Sequence, residues 1–136
     1  MKKIHPTAII EDGADIGADV EIGPYCLIGS GVKIGDGCQL KSHVILSGET
    51  TIGTENIFHP TAYIGGEPQD LKYNQEKTLV KIGSNNTFRE GVSVHRGTVG
   101  GGGETVIGDD NLLMGYVHVA HDCHLGNHNI LANYTG

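Results

Sequence analysis

The sequence has no tryptophan and only seven aromatic residues, five Tyr and two Phe, among its 136 positions. That excludes a globular core built around large aromatic side chains. Its three cysteines, Cys26, Cys38 and Cys123, are odd in number and form no Cys-x-x-Cys pair. This points to reduced thiols rather than a disulfide framework. Positive charge is scarce, with 9 Lys and Arg against 16 Asp and Glu, a net charge of -7. This argues against non-specific binding to nucleic acid or to an anionic membrane surface, and says nothing against a local cationic pocket. No run approaches the roughly 18 apolar residues of a membrane span, so no membrane insertion is expected. Lys2 and Lys3 do not open a signal peptide, because Glu11, Asp12 and Asp15 arrive before any apolar region. A soluble, cytoplasmic, single-domain chain over residues 1–136 is the expectation.

What the sequence has in excess is glycine, 22 residues, together with a strict repeat. Stepping by six from Ile4 gives Ile10, Ile16, Ile22, Ile28, Ile34, Leu40, Leu46, Ile52, Phe58 and Ile64, all large and apolar. A hydrophobic content of 38% does not produce such a run by chance. The register resumes at Ile82, Phe88 and Val94, and again at Ile107, Leu113, Val119, Leu125 and Leu131. Two residues before each of these stands a small or β-branched residue, a Cys or an Asn, such as Val20, Cys26, Cys38, Asn56, Asn86, Asn111, Cys123 and Asn129. Residues two apart on a strand face the same way, so each hexad sends one large and one small side chain inward. The three cysteines are therefore expected in the core, and the four asparagines in a hydrogen-bonded ladder. Glycine often follows the large residue, as at Gly17, Gly23, Gly35 and Gly53, where it is expected to permit a turn conformation closed to other residues.

A six-residue unit cannot bury itself and must stack on its copies, which predicts an all-β parallel β-helix. The hexapeptide pattern resembles the left-handed form, with three hexads per triangular coil and about seven coils. Its handedness runs against the usual crossover preference and rests on the resemblance. One large aliphatic side chain per hexad makes a thin core, so a subunit interface is expected as well. Two segments break the repeat, one between Ile64 and Ile82 and one between Val94 and Ile107. Both are expected to project from the scaffold as loops, where function concentrates. The run Gly100–Gly103 has no Gly-Lys-Ser/Thr ending and no helix pattern after it, which argues against a phosphate-binding loop.

A histidine cluster, His118, His121, His124 and His128, follows the second break. His118 and His124 should point outward on adjacent faces, with His121 near a corner and Asp122 directly after it. Solvated surface histidines are one reading. A zinc site is another, though successive hexads change face and a second subunit would have to supply ligands, as in hexapeptide-type carbonic anhydrases.

The strings Gln69-Asp70-Leu71-Lys72-Tyr73, His95-Arg96-Gly97-Thr98, Asn111-Leu112-Leu113-Met114, His118-Val119-Ala120-His121-Asp122-Cys123 and Ile130-Leu131-Ala132-Asn133, in this order, resemble the UDP-N-acetylglucosamine O-acyltransferase family. That family moves an (R)-3-hydroxyacyl chain from acyl carrier protein to the 3-hydroxyl of UDP-N-acetylglucosamine, opening lipid A biosynthesis. The resemblance implies His121 as general base and Asp122 as the carboxylate that orients it. It assigns substrate binding to Gln69, Asp70, Lys72, His95 and His118. It implies no metal and no cofactor beyond the carrier's phosphopantetheine, and a homotrimer with clefts between subunits. Family members are roughly twice as long, adding coils and a C-terminal helical domain, so this chain is expected to be an N-terminal part whose own activity is uncertain. A metal-dependent hydratase and a non-catalytic scaffold remain as alternatives. Adjacent strand residues point apart, so the His121–Asp122 pairing requires a bend or a histidine from another subunit.

Overall fold

A computed structural model describes residues 2–66, 78–98 and 103–135. Its strands are short because each hexad spends two to four residues on a strand and the rest on a corner. They form three parallel sheets of seven, six and six strands. The first face holds Lys3–Ile4, Glu21–Ile22, Gln39–Leu40, Ile57–Phe58, Thr87–Phe88, Leu112–Leu113 and Ile130–Leu131. The second holds Ile9–Ile10, Leu27–Ile28, Ile45–Leu46, Tyr63–Gly66, Ser93–His95 and His118–Val119. The third holds Asp15–Ile16, Val32–Ile34, Glu49–Ile52, Leu79–Ile82, Glu104–Ile107 and His124–Leu125. Each face is visited in strict chain order, once per coil, and the whole is the expected left-handed parallel β-helix. No helix among the described residues is long and apolar enough to cross a membrane.

The register shows where the chain departs from its period. Lys3 pairs with Glu21, eighteen positions on. Ile57 pairs with Thr87, thirty positions on, and Thr87 with Leu112, twenty-five on. Twelve and seven residues are thus inserted, and strand pairing resumes across each insertion. The insertions fall between Ile64 and Ile82 and between Val94 and Ile107, where residues 67–77 and 99–102 lie outside the described residues. Their flanks are part of the scaffold rather than of projecting loops. Gly65 and Gly66 continue a strand, and Thr78, His95, Gly97 and Thr98 are buried.

The two inward rows fill the prism. Ile22 through Ile64, Ile82 through Val94 and Ile107 through Val119 are buried, and the Phe58 and Phe88 rings stack 4.7 Å apart. Toward both ends the rows lose cover, and Ile4 is 43% exposed. Cys26 and Cys38 are buried as expected, and burial pushes both thiols up, which keeps them inert. Cys123 keeps the inward phase but is exposed, a correction to the core assignment, because no described coil lies over it. The asparagine ladder forms. The Asn86 N–H donates to Asn56 Oδ1, the Asn111 N–H to Asn86 Oδ1 and the Asn129 N–H to Asn111 Oδ1, each at 2.9 Å. Each side-chain amide of the first three donates to a glycine carbonyl at 2.8 Å. Buried amides are satisfied where an unmet one would cost about 1–3 kcal/mol.

The glycines and the turns trade the roles expected of them. Most glycines after the large residue do not have positive φ. They permit close approach of the coil above: a methyl on Gly23 would lie 1.5 Å from the Lys41 carbonyl oxygen. The left-handed conformation instead falls three residues after the large inward one. Asp19, Tyr25, His43, Glu55, Thr61, Asn85, Asp110, Tyr116, Asp122, His128 and Tyr134 all hold it, with φ between 53 and 69.

Candidate functional site

Four of the seven residues singled out in the sequence meet on the second face and the corner that follows it. His118 lies in that face's last described strand, His95 in the strand beneath, and His121 and Asp122 on the corner. Gln69, Asp70 and Lys72 lie outside the described residues. His124 belongs to the third face and is exposed, and exposed His128 stands 3.8 Å from Asp110 on a different corner.

Asp122 occupies the left-handed turn phase, with φ 62. That turn folds its side chain back beside its neighbour, so the bend the pairing requires is the one every corner makes. The His121 Nδ1–H donates to Asp122 Oδ2 at 2.9 Å. An ionised carboxylate only accepts, so the shared proton sits on Nδ1 and leaves Nε2 as an acceptor. Two threonines fix Asp122, one at its carboxylate and one at its backbone. The Thr98 N–H donates to Asp122 Oδ1 at 2.7 Å and the Thr98 hydroxyl to Oδ2 at 2.5 Å. The Asp122 N–H donates to Thr105 Oγ1 at 2.9 Å. At most other corners the amide at this position reaches a backbone carbonyl of the coil beneath, as Tyr116 reaches Glu90 and His43 reaches Pro24, while Tyr25 reaches the Thr7 hydroxyl. At Asp122 the acceptor is likewise a side chain, the Thr105 hydroxyl.

Burial pushes the Asp122 carboxyl up, but the hydrogen bonds from Thr98 and His121 and the adjacent His121 charge outweigh it and hold the group below the usual carboxylate range. Its side chain is only 11% exposed. His95 has the opposite surroundings. Burial pushes its imidazole down, and the charges of His118, His121 and Arg96 push the same way. Its Nδ1 is buried without a partner among the described residues. The position is set by a bulge at Gly65, after which Gly66 pairs with His95. At that bulge a methyl on Gly65, whose φ is 85, would meet the Ser47 carbonyl oxygen at 2.0 Å. The Arg96 N–H and Nε–H close the same corner, donating to the Gly66 and Gly65 carbonyls. His118 shares a hydrogen bond of 2.8 Å with Ser93 Oγ and stands edge-on to His95, ring centroids 4.8 Å apart.

Three imidazoles and one ionised, oriented carboxylate therefore converge at the place where the repeat is interrupted. Such a set can take a proton from a hydroxyl and return it to a leaving group near neutral pH. Among the described residues no group of three or more His, Cys, Asp or Glu side chains is placed to hold a metal ion. Sequence reasoning missed Thr98, Thr105 and Ser93. Thr98 and Thr105 have a legible signal, since they lie four residues after Val94 and two before Ile107, in the phase of a small inward residue.

Comparison with known proteins agrees with this architecture. The family profile for bacterial transferase hexapeptide, six repeats, matches residues 2–36 and 104–136. The acyl-(acyl-carrier-protein)–UDP-N-acetylglucosamine O-acyltransferase of Thermodesulfovibrio yellowstonii is 55% identical over 133 residues, which is 98% of this chain and 52% of that protein. The protein of the same name from Saccharophagus degradans is 52% identical over 133 residues, again 98% of this chain and 52% of the relative. The structure of LpxA from Acinetobacter baumannii superposes with a TM-score of 0.95 at 53% identity, covering 96% of this chain and 51% of that one. The chain thus spans about half the length of the curated relatives it matches.

The two shifted groups give a pH dependence of stability. The folded state resists protonating His95, so below about pH 6.5 the unfolded chain takes up a proton the folded one refuses, and stability falls with pH. His59, lowered by partial burial and by Arg89 and Lys41 against Glu90, acts in the same sense. The Asp122 contribution is present above the ordinary carboxylate range and is lost only at lower pH, as the folded carboxyl protonates. The midpoint of urea unfolding should therefore drop as pH falls from about 6.5, and His95→Gln should flatten that first part of the fall. An identical pH profile in the variant would show that His95 is not the group responsible.

Proposed function

The chain belongs to the bacterial transferase hexapeptide family, and from that premise we propose that it is the β-helical part of a UDP-N-acetylglucosamine O-acyltransferase. In this reading an (R)-3-hydroxyacyl chain passes from acyl carrier protein to the 3-hydroxyl of UDP-N-acetylglucosamine, the first step of lipid A biosynthesis, in the cytoplasm. The remaining coils and the helical domain implied by the resemblance complete the enzyme. The observation that carries the reading is the 2.9 Å bond between His121 Nδ1 and Asp122 at the interrupted corner, in a chain whose acyltransferase relatives match it nearly end to end.

The chemistry follows from that bond. A sugar hydroxyl is a weak nucleophile at neutral pH and needs its proton removed as it attacks. His121 Nε2 takes the proton while the oxygen bonds to the thioester carbonyl carbon. The resulting imidazolium is stabilised by Asp122, which stays ionised. Collapse of the tetrahedral intermediate breaks the C–S bond, and His121 returns the proton to the departing phosphopantetheine thiolate. Acyl ester and free thiol are the products, with no covalent acyl-enzyme. His118 and His95 line the same face and serve substrate binding, the low proton affinity of His95 keeping it an uncharged partner. Gln69, Asp70 and Lys72 serve the sugar and acyl portions, Lys72 offering a cation to phosphate. No metal or cofactor enters the scheme.

A homotrimer with clefts between subunits belongs to the same proposal. Its support is the outward row Ile9, Leu27 and Tyr63, which are 61%, 38% and 41% exposed on the face that carries His118. In sedimentation equilibrium at micromolar concentration the whole protein should have the mass of three chains; a stable monomer would contradict the shared cleft.

The base assignment has a direct kinetic consequence in the whole protein, assayed by acyl transfer from 3-hydroxyacyl carrier protein to UDP-N-acetylglucosamine. His121→Ala should lower turnover by roughly 10²–10⁴-fold, with KM changed far less. His124→Ala, on the third face, should leave turnover near wild type. Equal damage from both substitutions, accompanied by loss of a stoichiometric metal, would replace this reading with that of a metal-dependent hydratase. Binding of neither substrate by the wild type would leave a scaffold.

A further inference from the structure

We propose that Thr98 is a positioning residue for the His121–Asp122 pair, its hydroxyl holding the Asp122 carboxylate in the rotamer that orients the imidazole. The inference deepens the acyltransferase reading and rests on it.

The geometry sets Thr98 apart from an ordinary buried threonine. Its hydroxyl donates to Oδ2, the same oxygen that accepts the His121 proton, and its N–H donates to Oδ1. Both carboxylate oxygens are thus engaged from one residue, 24 positions earlier in the chain and one coil below. Thr98 is 7% exposed, so water has little access from that side. It holds the phase of a small inward residue, directly before residues 99–102 of the inserted segment. A threonine there turns a core position into a support for the corner above. Meanwhile Thr105, after the same insertion, accepts the Asp122 N–H and fixes the turn itself. The backbone of Asp122 is held from one side of the insertion and its carboxylate from the other.

The support has a chemical purpose. As the hydroxyl proton moves to His121, the carboxylate must stay in place and stay ionised. Two donors from Thr98 lower its basicity and leave it one direction in which to meet the imidazole. Without the hydroxyl, Oδ2 keeps a single donor, and the carboxylate is held from below by the Thr98 N–H alone.

Four variants of the whole protein test this: Thr98→Val, Thr98→Ser, His121→Ala and the double Thr98→Val/His121→Ala. Valine keeps the shape and the backbone N–H but removes the hydroxyl; serine keeps the hydroxyl. Turnover in Thr98→Val should fall by about 10-fold or more, the usual scale for a hydrogen bond to a charged group. KM for UDP-N-acetylglucosamine should stay within about twofold, since the loss lies in the transition state. Thr98→Ser should recover most of the turnover. In the His121→Ala background Thr98→Val should cost nothing further, because Thr98 acts through His121. A fully active Thr98→Val beside an inactive His121→Ala overturns the Thr98 role alone. So does a Ser variant as slow as the Val variant, or an undiminished second loss in the double variant. A fully active His121→Ala overturns the base assignment and this inference with it. Should Thr98→Val fail to fold by circular dichroism, the Ser variant and the pH dependence of its turnover decide: a wild-type profile supports the role, and a displaced acid limb with lowered turnover contradicts it.

Discussion

The left-handed turn residue three positions after each large inward side chain is the constraint on which the rest of this molecule depends. It is costly. A non-glycine residue in that conformation gives up about 1–2 kcal/mol. Eleven such residues hold it here, because stacking over-determines them. From Tyr25 onward the amide at each of these turns reaches a carbonyl or hydroxyl of the coil beneath, as Glu55 reaches Asp36 and Tyr25 reaches Thr7. Below and above, the inward rows and the asparagine ladder lock the coils in register. A turn closed to most residues in isolation becomes the shared corner of a prism.

The candidate site is built from that same corner rather than added to it. His121 and Asp122 face each other because Asp122 occupies the left-handed phase. The site is particular because the coil beneath is interrupted. Thr105 accepts the Asp122 N–H and Thr98 holds its carboxylate, one from each side of the insertion. His95 is carried into the group by the Gly65 bulge at the earlier interruption. Every functional side chain described here is thus next to a break in the repeat, while the unbroken hexads supply rigidity.

Much of this was legible in the sequence. The six-residue period gave the inward rows, the parallel coils and the asparagine ladder, because a period of six on three faces is a strong local signal. The gathering of His95, His118, His121 and Asp122 was legible only through resemblance to a family, since spacing alone left solvated histidines and a metal site open. What stayed hidden has physical reasons. The glycines after the large residues looked like turn formers, but their task is close approach between coils, which depends on the neighbouring coil rather than on the local chain. Cys123 has the inward phase, yet burial depends on what lies above it. The support from Thr98 joins residues 24 positions apart, a separation that follows from the length of an insertion rather than from the period. Gln69, Asp70 and Lys72 fall in the other insertion, outside the described residues.

The central claim is that the corner holds the His121 proton on Nδ1 and leaves Nε2 bare as the base. Long-range proton–nitrogen correlation NMR on the whole protein, with ¹⁵N-labelled histidine and His121 assigned by its absence in a His121→Gln variant, reads this directly. In the neutral imidazole the account predicts a protonated Nδ1 and an unprotonated Nε2. The opposite tautomer, with the proton on Nε2, would leave no base facing the substrate and would contradict it.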